Sequence, residues 1–159
     1  VEDYRSAVTY LGTRADIDPG RIGAFGSGGT GGGNAIYAGG LDPRVKAVVA
    51  MVPFAADFDP ASLATPRVPL GLITAARDIN QIPRFHSEAV KATCLPRCTD
   101  LMTLPEAGHG AMLSPLPPLE PGSIAHHLQA DPPGFDRGVM PEVNQKITAF
   151  FARHLLAGG

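Results

Sequence analysis

Apolar positions follow two periods along the chain. Val1, Tyr4, Val8 and Leu11 recur at helical spacing with Glu2, Asp3 and Arg5 off that face, which predicts an opening amphipathic helix. Gly12 and then Asp18-Pro19-Gly20 supply turn chemistry. Short apolar runs follow at Arg21 to Phe25, Val45 to Val52, Val68 to Ala75 and Leu101 to Leu104. Every residue of the Val45 run after Lys46 is apolar, the pattern of a strand covered on both faces of a parallel sheet. Helical stretches are expected up to Ala38, where Gly39-Gly40 would stop the chain, and from Arg84 to Thr93, with Phe85, Ala89 and Ala92 on one side. Val143, Ile147, Phe150, Phe151 and Leu155 predict a closing helix. Asp57 to Ala64 reads as a loop with a helical turn. Met112 to Arg137 is proline-rich and reads as an inserted loop or cap with a short helix near Ile124 to Gln129. A helix followed by strand–helix units predicts an α/β fold, a mostly parallel, doubly wound sheet with helices on both faces, in a single domain over residues 1–159.

Composition narrows the class. A hydrophobic content of 44% against 18% charged residues is that of a globular chain. A net charge of -2 gives no electrostatic reason to expect nucleic acid or an anionic membrane as partner. No run reaches the roughly 18 apolar residues of a membrane span, and no basic segment precedes an apolar one in the manner of a signal peptide. The cytoplasm is the default compartment. Two cysteines, Cys94 and Cys98, make no disulfide framework and are expected as buried or half-buried thiols.

The candidate chemistry centres on Gly26-Ser27-Gly28-Gly29-Thr30-Gly31, a glycine turn between a strand and a helix. Open α/β sheets bind ligands at such points. The stretch approximates a nucleophile elbow, G-x-S-x-G, and also fits the dinucleotide fingerprint G-x-G-x-x-G. The fingerprint wants an acid at the end of the next strand, and Ala50-Met51-Val52-Pro53-Phe54 has none, which makes dinucleotide binding through Gly26 to Gly31 the remote alternative. His109, in a glycine-flanked loop after a strand, is placed either as a general base or as a surface histidine. Asp78, after the Val68 strand, suits either an imidazole-orienting carboxylate or a turn aspartate, with Asp57 and Asp59 the next candidates for that acid. The adjacent His126 and His127 would point about 100° apart on a helix and have no third ligand spaced with them, so they read as solvent-exposed and no metal site is expected. Met112, Leu113, Leu116 and Leu119 are either an acyl pocket under the cap or ordinary packing.

Leu41-Asp42-Pro43-Arg44-Val45-Lys46-Ala47-Val48-Val49, together with Asp18-Pro19-Gly20-Arg21-Ile22-Gly23, resembles the α/β-hydrolase superfamily, most closely its dienelactone-hydrolase-like and bacterial esterase-like members. Pro105-Glu106-Ala107-Gly108-His109-Gly110 and Phe150-Phe151-Ala152-Arg153-His154-Leu155 look like that family's histidine loop and final helix. The resemblance implies hydrolysis of a carboxylic ester or related acyl substrate by a triad of Ser27, Asp78 and His109, with the Gly28 N–H as one oxyanion donor and no cofactor. Laid on the family pattern without a gap, the nucleophile position falls on Gly28. Ser27 is reached by a one-residue deletion, and Thr30 by a two-residue insertion that its β-branch disfavours. The alternative is therefore a catalytically degenerate binding or assembly module with glycine at the nucleophile position. The resemblance also implies that this chain corresponds to the carboxyl-terminal half of such a domain. Its first strand would then have an open edge, covered in a homo-oligomer or by a second chain.

Overall fold

The computed structural model describes residues 2–55, 68–94, 98–113 and 115–156. Helix α1 (Glu2–Leu11) leads into strand β1 (Ile22–Ser27), helix α2 (Gly28–Leu41) and strand β2 (Val45–Met51). Strand β3 (Leu70–Ala75), helix α3 (Ser87–Cys94) and strand β4 (Cys98–Leu104) follow, then the short helix α4 (Ile124–Gln129) and the closing helix α5 (Met140–Phe151). The four strands form one sheet in the order β1-β2-β3-β4, every neighbouring pair parallel. This is the expected α/β fold, a parallel sheet with helices packed on both faces. The loop expected at residues 57–64, with Asp57 and Asp59, lies outside the described residues.

Alternate residues of a strand face opposite sides of the sheet, and the continuous apolar runs feed two cores. Val48 and Ala50 of β2 pack with Val8, Ile36, Leu70, Leu72 and Val90 on the side of α1, α2 and α3. Val49 and Met51 pack with Ile73, Leu104, Val143 and Phe150 on the side of α5. Strand β4 starts earlier than its apolar run, because Thr99 and Asp100 lie exposed on an outer strand where Lys91 pairs with Asp100 at 2.8 Å. Helix α2 runs through Gly39-Gly40 to Leu41 instead of stopping at Ala38. A Cβ at Gly39 would clash with Val48 Cγ2, so that glycine serves close helix–sheet contact and does not act as a stop.

The cysteines also depart from expectation. Cys94 and Cys98 form a disulfide between the end of α3 and the start of β4, with Cα atoms 5.6 Å apart. The end of α3 and the start of β4 thus lie within ordinary bridging distance of each other.

Buried Asp42, at the turn after α2, takes Arg44 in two side-chain bonds of 2.9 and 2.6 Å. Arg44 in turn donates to Thr9 Oγ1 at 2.9 Å and so ties α1 to this turn. The Arg44 guanidinium holds the Asp42 carboxyl down at about 2, from an ordinary 3.8, against the opposing effect of burial. A lowered acid contributes stability that is whole above pH 3.8 and is lost as pH falls through about 2. Arg44 is 43% exposed, and solvent screening reduces the gain to about 1 kcal/mol. Asp42→Asn should therefore lower stability by about 1 kcal/mol at neutral pH, and urea titrations of the two proteins should converge as the pH approaches 2.

Candidate active site

The parallel register brings the carboxyl ends of β3 and β4 side by side, and their outgoing loops remain joined beyond the sheet. Ala76 N–H donates to Leu104 O at 3.0 Å and Arg77 N–H to Ala107 O at 2.9 Å. Asp78 and His109 stand just past this zipper, only 3% and 6% exposed. Asp78 Oδ1 accepts the backbone N–H groups of Asn80 (2.7 Å) and Gln81 (2.8 Å), which fixes the carboxylate plane. Oδ2 then meets His109 Nδ1 at 2.8 Å. An ionised carboxylate only accepts, so Nδ1 is the donor, and in the neutral ring Nε2 is the nitrogen that carries the lone pair. Such an imidazole can take a proton from a hydroxyl or a water.

His109 begins a single 3-10 turn, His109–Met112, which the proline-rich segment holds from outside. Arg137 donates to Gly110 O at 2.8 Å and Leu113 O at 2.5 Å while pairing with Asp131 at 2.6 and 3.0 Å. Arg137 thus clamps the histidine turn by its carbonyls. No spacing in the sequence marks Arg137 or Asp131 for this; a lone arginine between prolines carries no pattern. A cleft of about 350 Å³ opens at His109, lined by Arg77, Ile79, His127, Leu128, Ala130 and Pro132 among others. His127 is exposed, as expected, yet stands on this rim. Met112, Leu113, Leu116 and Leu119 do not line it.

The turn at the top of β1 resolves the register of the elbow. Ser27 is the last strand residue, with extended backbone (φ -122°, ψ 150°), and its hydroxyl caps nothing on α2. Gly28 carries the left-handed conformation, φ +72°, in which an L side chain is strained. A Cβ there would run into Met112 Sδ, so this position looks directly onto the histidine turn. Thr30 lies within α2. The structure thus joins Asp78 to His109 and sets Gly28 against Met112; among the described residues the one hydrogen bond of the His109 ring is that to Asp78.

A second residue of positive φ, this one strained, braces the turn. Val52, just past β2, has φ +52°, an outlier for a β-branched residue that costs on the order of 1–3 kcal/mol. It sends the chain over α2, where Phe54 N–H donates to Gly29 O at 3.0 Å and Ala55 N–H to His86 Nδ1 at 3.1 Å. Burial pushes the His86 imidazole down, against the pull of the Asp78 charge, which favours the neutral ring that can accept this bond. The described part of this loop, residues 52–55, contains no acid to serve a dinucleotide ribose. Among the described residues no group of three or more His, Cys, Asp or Glu could hold a metal ion, and no helix is long and apolar enough to cross a membrane.

Comparison with known proteins adds chemistry to this geometry. The sequence model of the acetyl xylan esterase family matches residues 2–67. The chain is similar to esterase-like α/β-hydrolases. A relative, the thiohydrolase apmlB of Arthrinium phaeospermum, is 46% identical over 52 residues, 33% of this chain and 17% of that protein's length. Both matches are to hydrolases, and neither supports the dienelactone-hydrolase side of the resemblance. The matched segment covers α1, the glycine turn and β2.

The left-handed position gives a direct test of the register. Gly28→Ala should lose about 1–2 kcal/mol in chemical denaturation, the cost of an L residue in that conformation, whereas Ser27→Ala should stay within about 0.5 kcal/mol of the parent.

Proposed function

We propose that this chain carries the acid–base part of a hydrolase site for a carboxylic ester or related acyl substrate. The observation that carries the reading is the buried Asp78–His109 pair at the carboxyl ends of adjacent parallel strands, beside a strand–turn–helix elbow. In this reading Ser27 attacks the acyl carbonyl and His109 Nε2 takes its proton. Asp78 holds the ring and stabilises the imidazolium, and the Gly28 N–H donates to the oxyanion. His109 then returns the proton to the leaving alcohol or thiol, and water regenerates Ser27 by the same relay. The substrate is a small molecule and the chemistry calls for no cofactor. The free edge of β1 belongs to the same reading as the place where a second copy or another chain extends the sheet; a monomer by analytical ultracentrifugation would remove that part.

A second reading has an observation of its own. Gly28, not Ser27, holds the left-handed position under Met112, and glycine there offers no nucleophile. The chain would then be a degenerate, hydrolase-like binding or assembly module.

Covalent labelling with a fluorophosphonate separates the two. The catalytic reading expects labelling of the parent that disappears in Ser27→Ala and in His109→Ala. It also expects esterase turnover lowered about 10²–10⁴-fold by His109→Ala and by Asp78→Asn. A parent chain that takes no label, alone or with a partner on β1, leaves the degenerate reading standing.

A further inference from the structure

Among the described residues, the hydrogen bonds of the Arg137 side chain go to Asp131 and to the histidine turn. Nε and Nη2 pair with Asp131 at 2.6 and 3.0 Å, while Nη1 donates to Leu113 O at 2.5 Å and Nη2 to Gly110 O at 2.8 Å. Gly110 directly follows the base, and Leu113 closes the His109–Met112 turn. Gly110 O also accepts Leu113 N–H at 2.9 Å, so both lone pairs of that carbonyl are engaged. The residues on either side of the base are in close contact with the cap: a Cβ on Gly110 would run into Gln129 O, and one on Gly108 would lie 2.9 Å from Pro132. Arg137 itself opens the 3-10 turn Arg137–Val139, which runs directly into α5, and α5 is rooted in the core by Met140, Val143 and Phe150. The arginine thus links a packed helix to a turn that carries the base at its first residue. At its last residue that turn carries the methionine that lies against Gly28.

A general base has to keep Nδ1 on its carboxylate while Nε2 stays in one place, and both depend on where the backbone of its turn sits. A single 3-10 turn has poorer hydrogen-bond geometry than an α-helix, and glycine on either side of His109 leaves the backbone torsions free. A misplacement of about 1 Å at a reacting group costs roughly 10² in rate. We propose that Arg137 is a positioning residue for His109: its guanidinium, oriented by Asp131, holds the histidine turn where the ring stays bonded to Asp78 and presents Nε2 to the cleft. Arg137 does not line that cleft, so it acts through the imidazole and not on the ligand. The planar fork is what the position calls for, because one group serves a carboxylate and two carbonyls at once, which a lysine ammonium does not reproduce. The kinetic consequence rests on the hydrolase reading above; the hold on the turn rests on these hydrogen bonds.

The test compares the parent chain with Arg137→Lys, Arg137→Ala and Asp131→Asn, reading the His109 ring by NMR, ester turnover by kinetics and the sheet by amide hydrogen exchange. In the parent, the Nδ1–H proton held on Asp78 should give a downfield ring resonance that His109→Ala removes. Arg137→Ala should broaden or abolish that resonance and lower kcat about 10–100-fold with KM unchanged. Amide protection in β2 and β3 should stay at the parent level. Arg137→Lys, a point charge in place of the fork, and Asp131→Asn should fall between parent and alanine variant, and they decide the matter if the alanine variant does not fold. A ring proton or a kcat unmoved in the folded variants would overturn the proposal. So would losses that track a general loss of protection in the sheet, or a parent that lacks the resonance. A parent with neither turnover nor fluorophosphonate label, whose ring proton still depends on Arg137, would sink the hydrolase reading and leave the positioning role standing. Turnover in the parent that ignores Arg137 would do the reverse.

Discussion

The carboxylate of Asp78 is the point through which the site is assembled. One oxygen is taken by two backbone N–H groups of its own turn and the other by His109, so neither is left bare in a buried place. Removing either partner strands a desolvated acceptor, which costs more than the hydrogen bond itself returns. The arrangement exists because β3 and β4 are parallel neighbours whose exits stay bonded, Ala76 to Leu104 and Arg77 to Ala107. Arg137 then fixes the far side of the histidine turn through Gly110 and Leu113. Sheet register, exit loops and cap therefore act on one side chain, the His109 ring.

The elbow is held differently, by backbone strain and close approach. Gly28 and Val52 both take positive φ, the first without penalty and the second against its β-branch. What holds Val52 is the run of bonds after it, from Phe54 to Gly29 and from Ala55 to buried His86. Strain of this kind persists only where the surroundings over-determine it. Here the surroundings are the first turn of α2 and the base of α3, so both flanks of the elbow are braced from the helix side of the sheet.

Much of this could be read from residue order. The buried strands announce themselves because a strand covered on both faces is apolar throughout, as Ala47 to Met51 is; Asp78 follows from its place just past such a strand and His109 from its glycine-flanked loop after β4. The features that escaped the sequence depend on distance across the fold. That α2 continues through Gly39 follows from the close approach of that glycine to Val48, and the start of β4 from an exposed flank at Thr99 and Asp100. The disulfide depends on α3 folding back onto β4, which no four-residue spacing can state. The register of the glycine turn is the sharpest case: Ser27, Gly28 and Thr30 differ by one or two positions, and only a φ angle tells them apart.

The Asp78–His109 pair bears on function because it is poorly explained by stability. A buried ionisable pair gains little over apolar residues of the same volume, since desolvation offsets most of its attraction. Its neighbours Ala107, Ala111 and Leu104 show that this region packs apolar side chains readily. A carboxylate held by backbone amides, presenting an imidazole whose second nitrogen makes no bond to any described residue, is instead the arrangement that proton transfer needs. Gly28 argues the other way, because the left-handed position of the elbow has no side chain and lies under Met112. The two observations are compatible if the acyl group enters between Met112 and the elbow and takes its nucleophile from one residue back, at Ser27.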